Sequence, residues 1–260
     1  MTVSRKTIKV SKTRVKSSVK LRGSSKNIRK SKKVEKKPME VEYEARFLEI
    51  NRDDLLAKIK NVGGTVKKPN TIYKRSMFGL CDISRGYVRV RDEGDKVTMT
   101  AKLYKDKKFP QEYELNIKDN FENGQEFLRA LNLTEKSYHE TMREKWTIPK
   151  RNGVELCEIA IDCVPGLPMY AEVECKSKED LSRAIKLLKL NRKNMRFGGY
   201  GKVYAEYYGL AETEINNKIA SITFKNIKEE LKPYLHKNTD LLDTIADQHL
   251  ELYNKLSCKN

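Results

Sequence analysis

The sequence predicts an α+β fold in which a closed antiparallel β-barrel surrounds a charged, solvated lumen, with helices over its outer wall. Three observations predict this polar tunnel. Seven segments alternate with a period of two, apolar on one face and charged on the other. Within the charged faces, whole segments carry one sign: Glu/Glu, Arg/Arg, Glu/Glu, Arg/Lys, Glu/Asp and Glu/Glu. Like charges repel along a strand and across neighbouring strands, so such faces need strands of opposite sign or a charged ligand before them. Segments of helical period lie between and after the strands, and they supply cover for the apolar wall of a barrel.

The elements follow in order. Val41 to Phe47 sends Glu42, Glu44 and Arg46 to one face and Val41, Tyr43, Ala45 and Phe47 to the other. Asn51-Arg52-Asp53-Asp54 caps a helix with Leu55, Leu56 and Ile59 on one face, ended by Gly63-Gly64. Residues 65 to 83 show no clean period, and Thr71 to Phe78 is a further strand candidate. Arg89 and Arg91 oppose Val88 and Val90; Asp92-Glu93-Gly94-Asp95 turns the chain; Thr98, Thr100 and Lys102 then oppose Val97, Met99, Ala101 and Leu103. This hairpin gathers three cations on one wall. Beyond the Lys105 to Lys108 turn, Glu112 and Glu114 oppose Tyr113 and Leu115. A helix from about Asn123 to Leu131 would bury Phe127, Leu128 and Leu131. Arg143 and Lys145 oppose Met142 and Trp146, with Glu144 interrupting the apolar face. After a turn at Pro149 to Gly153, Glu158 and Asp162 oppose Cys157, Ile159, Ile161 and Cys163. Pro165-Gly166-Leu167-Pro168 makes a hairpin into Tyr170, Glu172 and Glu174, which oppose Met169, Ala171, Val173 and Cys175. Lys178 to Leu190 is an amphipathic helix carrying Leu181, Ala184, Ile185 and Leu188. Residues 212 to 256 read as two or more helices broken near Pro233, with Leu241, Leu242, Ile245, His249, Leu252 and Leu256 at helical spacing.

Charge divides the chain of 260 residues. Of the net +18, residues 1 to 38 hold fifteen Lys or Arg against one acid, Glu35, and the remaining 222 carry only +4. The expected organisation is a basic tail (1–38), a tunnel domain (39–210) and a C-terminal helical extension (211–260). The tail has no aromatic residue and no sustained apolar period, so it predicts disorder. It suits contact with RNA, another polyanion or nuclear import, with an inert solvated extension as the plain alternative. No stretch has the length of a bilayer span and none reads as a secretory h-region. Five cysteines without CxxC spacing read as free thiols in a reducing compartment, hence an intracellular protein, cytoplasmic or nuclear. His139, His236 and His249 stand with no Ser or Cys as a nucleophile pair. The sequence leaves the oligomeric state open.

Carboxylates at i, i+2 on several strands suit Mg²⁺ or Mn²⁺, which favour oxygen ligands. Lys and Arg on facing strands suit a polyphosphate. Together they describe a metal–triphosphate site, since phosphoryl transfer rests on positioning and charge neutralisation. Acid and base ladders kept only for solubility explain one such strand more simply than seven.

The residues also carry a resemblance. Glu42-x-Glu44-x-Arg46 resembles the ExExK signature of the CYTH, or triphosphate tunnel metalloenzyme, superfamily, with Arg for the usual Lys. Val88 to Lys102 resembles that family's R-x-R hairpin and T-x-K strand; Asp162 to Pro168 with Glu172-Val173-Glu174 resembles its D-x-V-x-G-L-G and E-x-E block; Tyr200 to Leu210 is similar to its closing segment. The resemblance covers roughly residues 40 to 210 and implies an eight-stranded antiparallel tunnel. It implies that Glu42, Glu44, Asp162, Glu172 and Glu174 face metal, and that Glu112 and Glu114 lie on the wall near a second metal. It implies that Arg46, Arg89, Arg91, Lys102, Arg143 and Lys145 grip phosphates, with Lys202 near one mouth; the catalytic set would be Glu42, Glu44, Lys102, Glu172 and Glu174. Family members hydrolyse inorganic triphosphate, thiamine triphosphate or RNA 5′-triphosphate ends, and some cyclise ATP. The His-Phe that often precedes the first strand of class IV adenylyl cyclases is absent, Lys37-Pro38-Met39-Glu40 standing there. The acidic segment expected after the first helix is replaced by Asn70 to Arg75. The expected activity is therefore divalent-metal-dependent hydrolysis of a triphosphate, an activated water attacking the terminal phosphate. Cyclic AMP formation from ATP and non-catalytic binding of polyphosphate or RNA are the alternatives.

Overall fold

The alternating segments become strands of one sheet. The structure, a computed structural model, describes residues 43–104, 111–150 and 153–258. The basic tail and Glu42 lie outside the described residues. Among the described residues ten strands form: β1 (Tyr43–Phe47), β2 (Thr65–Gly79), β3 (Gly86–Asp92), β4 (Val97–Leu103), β5 (Gln111–Ile117), β6 (Thr134–Pro149), β7 (Glu155–Cys163), β8 (Tyr170–Cys175), β9 (Met195–Arg196) and β10 (Ser221–Ile222). They run in the order β5-β4-β3-β2-β6-β7-β8-β1-β9, and β10 adds in parallel to β6.

Two expectations are corrected here. The sheet has ten strands rather than eight, because β9 and β10 come from connections beyond the third helix and dock on β1 and β6. It is also not closed into a barrel: among the described residues β5 and β9 are its two ends, with no ladder between them. It nonetheless curls: Lys102 of β4 acts electrostatically on Glu44 of β1, six places away along the strand order.

Seven helices are α1 (Arg52–Asn61), α2 (Phe121–Ala130), α3 (Lys178–Leu187), α4 (Tyr200–Tyr208), α5 (Glu212–Lys218), α6 (Ile227–Leu231) and α7 (Thr239–Ser257). Polar N-caps start the first three: Asn51, Asn120 and Ser177 accept from the backbone N–H of Asp54, Asn123 and Asp180 at 2.8–3.0 Å. Leu55 and Ile59 of α1 and Leu181, Ala184 and Ile185 of α3 pack on the outer face of β1, β7 and β8, around Phe47, Ile159 and Val173. Glu144, the charge interrupting an apolar face, is buried on that wall, accepting from Arg52 Nη2 at 2.6 Å and Trp146 Nε1 at 2.9 Å.

The α2 stripe departs from expectation. Phe121, Gly124 and Leu128 are buried, while Phe127 and Leu131 are each 57% exposed. Gly124 decides the rotation: a Cβ there would lie 2.9 Å from Val90 Cγ1, so the helix approaches β3 through its glycine face.

The helices beyond residue 210 share a core with the sheet. Ile215, Ile227 and Leu242 cluster with Tyr170, Val164 and Leu167 of the β7–β8 connection. Tyr204 Oη donates to the Pro165 carbonyl at 2.5 Å and Tyr208 Oη to that of Gly166, tying α4 to the same turn. No helix among the described residues is long and apolar enough to cross a membrane.

Candidate functional site

Strand register puts the charged side chains on one face. Reading across, Glu44 stands opposite Glu174, itself opposite Glu158; Arg46 stands opposite Glu172; Arg143 stands opposite Asp162. On the other half, Arg75 opposes Arg91, Arg89 opposes Thr100, and Thr100 and Lys102 oppose Glu114 and Glu112. Side chains directly opposite share a face. Acids thus concentrate on β7, β8 and β1, and cations on β2, β3 and β4.

The acidic half is heavily ion-paired. Arg143 grips Asp162 in a fork, Nε to Oδ1 and Nη2 to Oδ2 both at 2.6 Å, and also donates to Glu172 Oε2 at 2.7 Å. Arg46 donates from Nε to Glu172 Oε1 at 2.9 Å, pairs with it again through Nη2, and reaches Glu44 at 3.1 Å and the Gly198 carbonyl. Burial pushes the Glu172 carboxyl up, but Arg143 and Arg46 outweigh it and hold it at about 2. Glu44 goes the other way: desolvation within the curl and the neighbouring Glu172 charge raise its carboxyl, against Arg46, Arg143 and Lys102. Glu158 is held low by Lys145 at 2.7 Å and Lys67 at 2.5 Å, against its burial.

The cationic half is underpaired. Arg89 donates to Thr100 Oγ1 at 3.1 Å and lies 3.6 Å from Glu114, which also receives the Thr100 hydroxyl at 2.9 Å. Arg91 pairs with the buried Glu93 and is 3.8 Å from Glu114. The Nε–H groups of Arg75, Arg89 and Arg91 are all buried without a hydrogen-bond partner. Burial, then the charges of Arg91 and Arg75, bring the Arg89 guanidinium down to about 10. Lys102 pairs with Glu112 at 2.5 Å.

The face therefore unites Glu44, Arg46, Arg89, Arg91, Lys102, Glu112, Glu114, Arg143, Lys145, Asp162, Glu172 and Glu174. Lys202 is exposed on α4, beside Gly198. Neither Arg75 nor its neighbour Tyr200 is assigned to the site by the sequence. Arg75 lies on β2, where Ile72-Tyr73 and Lys74-Arg75 put apolar and charged residues on both faces, so no period-two charge signal shows. Among the described residues no three Asp, Glu, His or Cys side chains gather closely enough to enclose a metal ion.

This is a curled α+β sheet protein whose concave chemistry is anion-seeking on one wall and carboxylate-rich on the other. No protein-family model and no curated protein matches the chain. Solved structures do. A Vibrio parahaemolyticus protein described as a candidate adenylate cyclase superposes with a TM-score of 0.52 at 14% identity, covering 64% of this chain and 98% of its own. A Pyrococcus horikoshii protein gives 0.49 at 19% identity, over 61% of this chain and 96% of its own. A Hippeastrum protein, described as revealing a dominant triphosphatase activity, gives 0.42 at 12% identity, over 64% and 94%. Of these three only the Vibrio structure carries an argument, and it shows the fold alone: this chain shares the fold of that protein.

Proposed function

We propose that the protein is a divalent-metal-dependent hydrolase of a triphosphate substrate, such as inorganic triphosphate, thiamine triphosphate or a nucleoside or RNA 5′-triphosphate. The observation that carries this reading is the pair Arg89 and Arg91. Two like charges on one strand, each with a buried Nε–H lacking a partner, call for an anion of several oxygens.

The carboxylates fit a cation by donor type and not by their present spacing. Glu44, Glu172 and Glu174 offer only oxygen donors from two adjacent strands, and burial, then the Glu172 charge, raise the Glu44 carboxyl. That is the donor chemistry of Mg²⁺ or Mn²⁺. Glu44, Glu172 and Glu174 would hold the ion, with Glu42 two residues ahead of Glu44 on the sequence pattern. When bound, a divalent cation neutralises phosphate charge and acidifies water. The protein's own groups do the rest. Arg89, Arg91 and Lys102 bind and orient the phosphate chain. Asp162 fixes Arg143 by its two-point contact, and Arg143 with Arg46 sets the position of the Glu172 carboxylate. Glu112 and Glu114, engaged by Lys102, Arg89 and Arg91, serve as wall residues that hold those cations.

The test is phosphate release and cyclic-nucleotide formation with Mg²⁺ or Mn²⁺ on inorganic triphosphate, thiamine triphosphate, ATP and triphosphorylated RNA. Glu44→Gln runs alongside. Orthophosphate release that disappears in the variant is expected, and the fastest substrate names the organic moiety. Cyclic product would make the protein a cyclase, and tight triphosphate binding without turnover would make it a binding protein.

A further inference from the structure

Arg75 occupies an electrostatically unfavourable position. It stands directly opposite Arg91 on β3 and opposite His139 on β6. Like charges facing each other across strands destabilise a sheet. The Arg75 Nε–H is buried without a partner, as is the Arg91 Nε–H. Its guanidinium carbon lies 4.6 Å from the ring centroid of Tyr200, which the N-terminus of α4 brings against the charged face. The Tyr200 hydroxyl is bonded to His139 Nδ1. With Nδ1 accepting that hydroxyl proton, the imidazole carries its own proton on Nε2, which is buried and has no partner. His139 as a whole is 7% exposed. Three donors from β2, β3 and β6 thus converge in one row of the sheet with hydrogen-bonding capacity unused. An unmade hydrogen bond by a buried donor is costly, and a phosphate oxygen would satisfy it.

We propose that Arg75, His139 and Arg91 form a further phosphate-binding subsite, with Tyr200 of α4 as the positioning residue that stacks under Arg75 and fixes the His139 tautomer. This rests on the triphosphate reading of the site and adds to it a second guanidinium row not foreseen in the sequence. Because Arg75 also acts on Glu172, the subsite is continuous with the carboxylate half rather than remote from it.

The experiment is calorimetric titration of the full chain with inorganic triphosphate, without added metal, at 50 mM salt. Four variants are compared with the parent: Arg75→Gln, Arg75→Lys, Tyr200→Phe and Arg89→Gln, each with its melting temperature. Arg75→Gln is expected to weaken binding at least tenfold, about 1.4 kcal/mol, and Arg75→Lys to recover part of it. Tyr200→Phe keeps the ring and loses the hydroxyl's bonds to His139 and Arg75, and should weaken binding of the folded protein a few-fold while lowering the melting temperature by a few degrees. If Arg75→Gln binds within twofold of the parent while Arg89→Gln loses binding, the subsite is wrong and the triphosphate reading stands. If the parent itself binds no triphosphate, the functional reading fails first. A melting temperature that drops by more than about 8 °C in both Arg75 variants, with affinity unchanged in the folded fraction, would show a purely structural arginine.

Discussion

Glu172 is the residue on which the acidic half depends, and its replacement can be worked through. Its two oxygens are shared between Arg46 and Arg143, both largely buried. The carboxyl is held at about 2 against an ordinary 4.5. That difference corresponds to roughly 3 kcal/mol of interaction favouring the ionised form in the folded protein. Glu172→Gln keeps the shape but removes the charge, and leaves two buried guanidiniums to share one neutral oxygen. The expected loss is about 3 kcal/mol, which for a folded unit of this size lowers Tm by roughly 6–12 °C. The pH dependence has a definite sign. A carboxyl whose pKa falls on folding contributes fully above its unfolded value near 4.5 and loses that contribution as pH drops through about 2. Urea unfolding of parent and variant at pH 7, 5, 4 and 3 reads the gap directly. It should be largest at pH 5 and above and should narrow steadily below pH 4.5. A gap of less than 1 kcal/mol at pH 7, or one that stays constant down to pH 3, would refute the reasoning that Glu172 is the common anion of both arginines.

Other outcomes follow from single sites. Arg89→Met should raise the Tm of the ligand-free protein by a few degrees while abolishing triphosphate binding in calorimetry, because burial and the Arg91 and Arg75 charges make its protonated form costly; a lower Tm would show that its Thr100 and Glu114 contacts dominate. Gly86→Ala should cost more than about 3 kcal/mol by urea unfolding, since φ is +133° and an added Cβ would sit 1.9 Å from the Lys102 carbonyl oxygen. Tyr204→Phe leaves the buried Pro165 carbonyl without its 2.5 Å donor and should lower stability by about 1–3 kcal/mol, with α4 becoming more open to hydrogen exchange.

What the sequence disclosed divides along the range of the interaction concerned. Period-two alternation is local, so Glu44, Arg46, Arg89, Arg91, Arg143, Asp162 and Glu172 could be set on one face before any pairing was known. Where charges fall on both faces of a strand, that signal fails: on β2 Lys74 and Arg75 are neighbours, as are Ile72 and Tyr73, and nothing local sets Arg75 on the charged face. Helix existence was legible from caps such as Asn51 and Ser177, but rotation was not. The buried side of α2 is chosen by the fit of Gly124 against Val90, a contact 34 residues apart in the chain. Closure was the least legible feature. Whether β5 meets β1 depends on sheet curl and on the late strand β9, which takes the free edge of β1, and no periodicity encodes either. Lys202 illustrates the same limit at one residue, since only the docking of Tyr204 and Tyr208 on the β7–β8 turn turns its side of α4 toward solvent.

The asymmetry between the two halves constrains how the site can work. On β7, β8 and β1 each carboxylate of Asp162, Glu158 and Glu172 already has a cation within 2.7 Å or closer, so this half is assembled without any ligand. On β2 and β3 the three Nε–H donors of Arg75, Arg89 and Arg91 have none. A buried, unmet donor beside like charges is a standing cost, and it is recovered only when an anion arrives. Binding energy is thus concentrated on the cationic wall, while on the acidic wall burial and the Glu172 charge raise both Asp162, which is locked in the Arg143 fork, and Glu44, which is 47% exposed and reaches Arg46 at 3.1 Å. An anion seated on Arg89 and Arg91 lowers the repulsion those cations exert on one another, and by the same charge it makes a second carboxylate-bound cation more favourable. Phosphate and divalent ion should therefore bind with positive coupling, each tightening the other by the same factor.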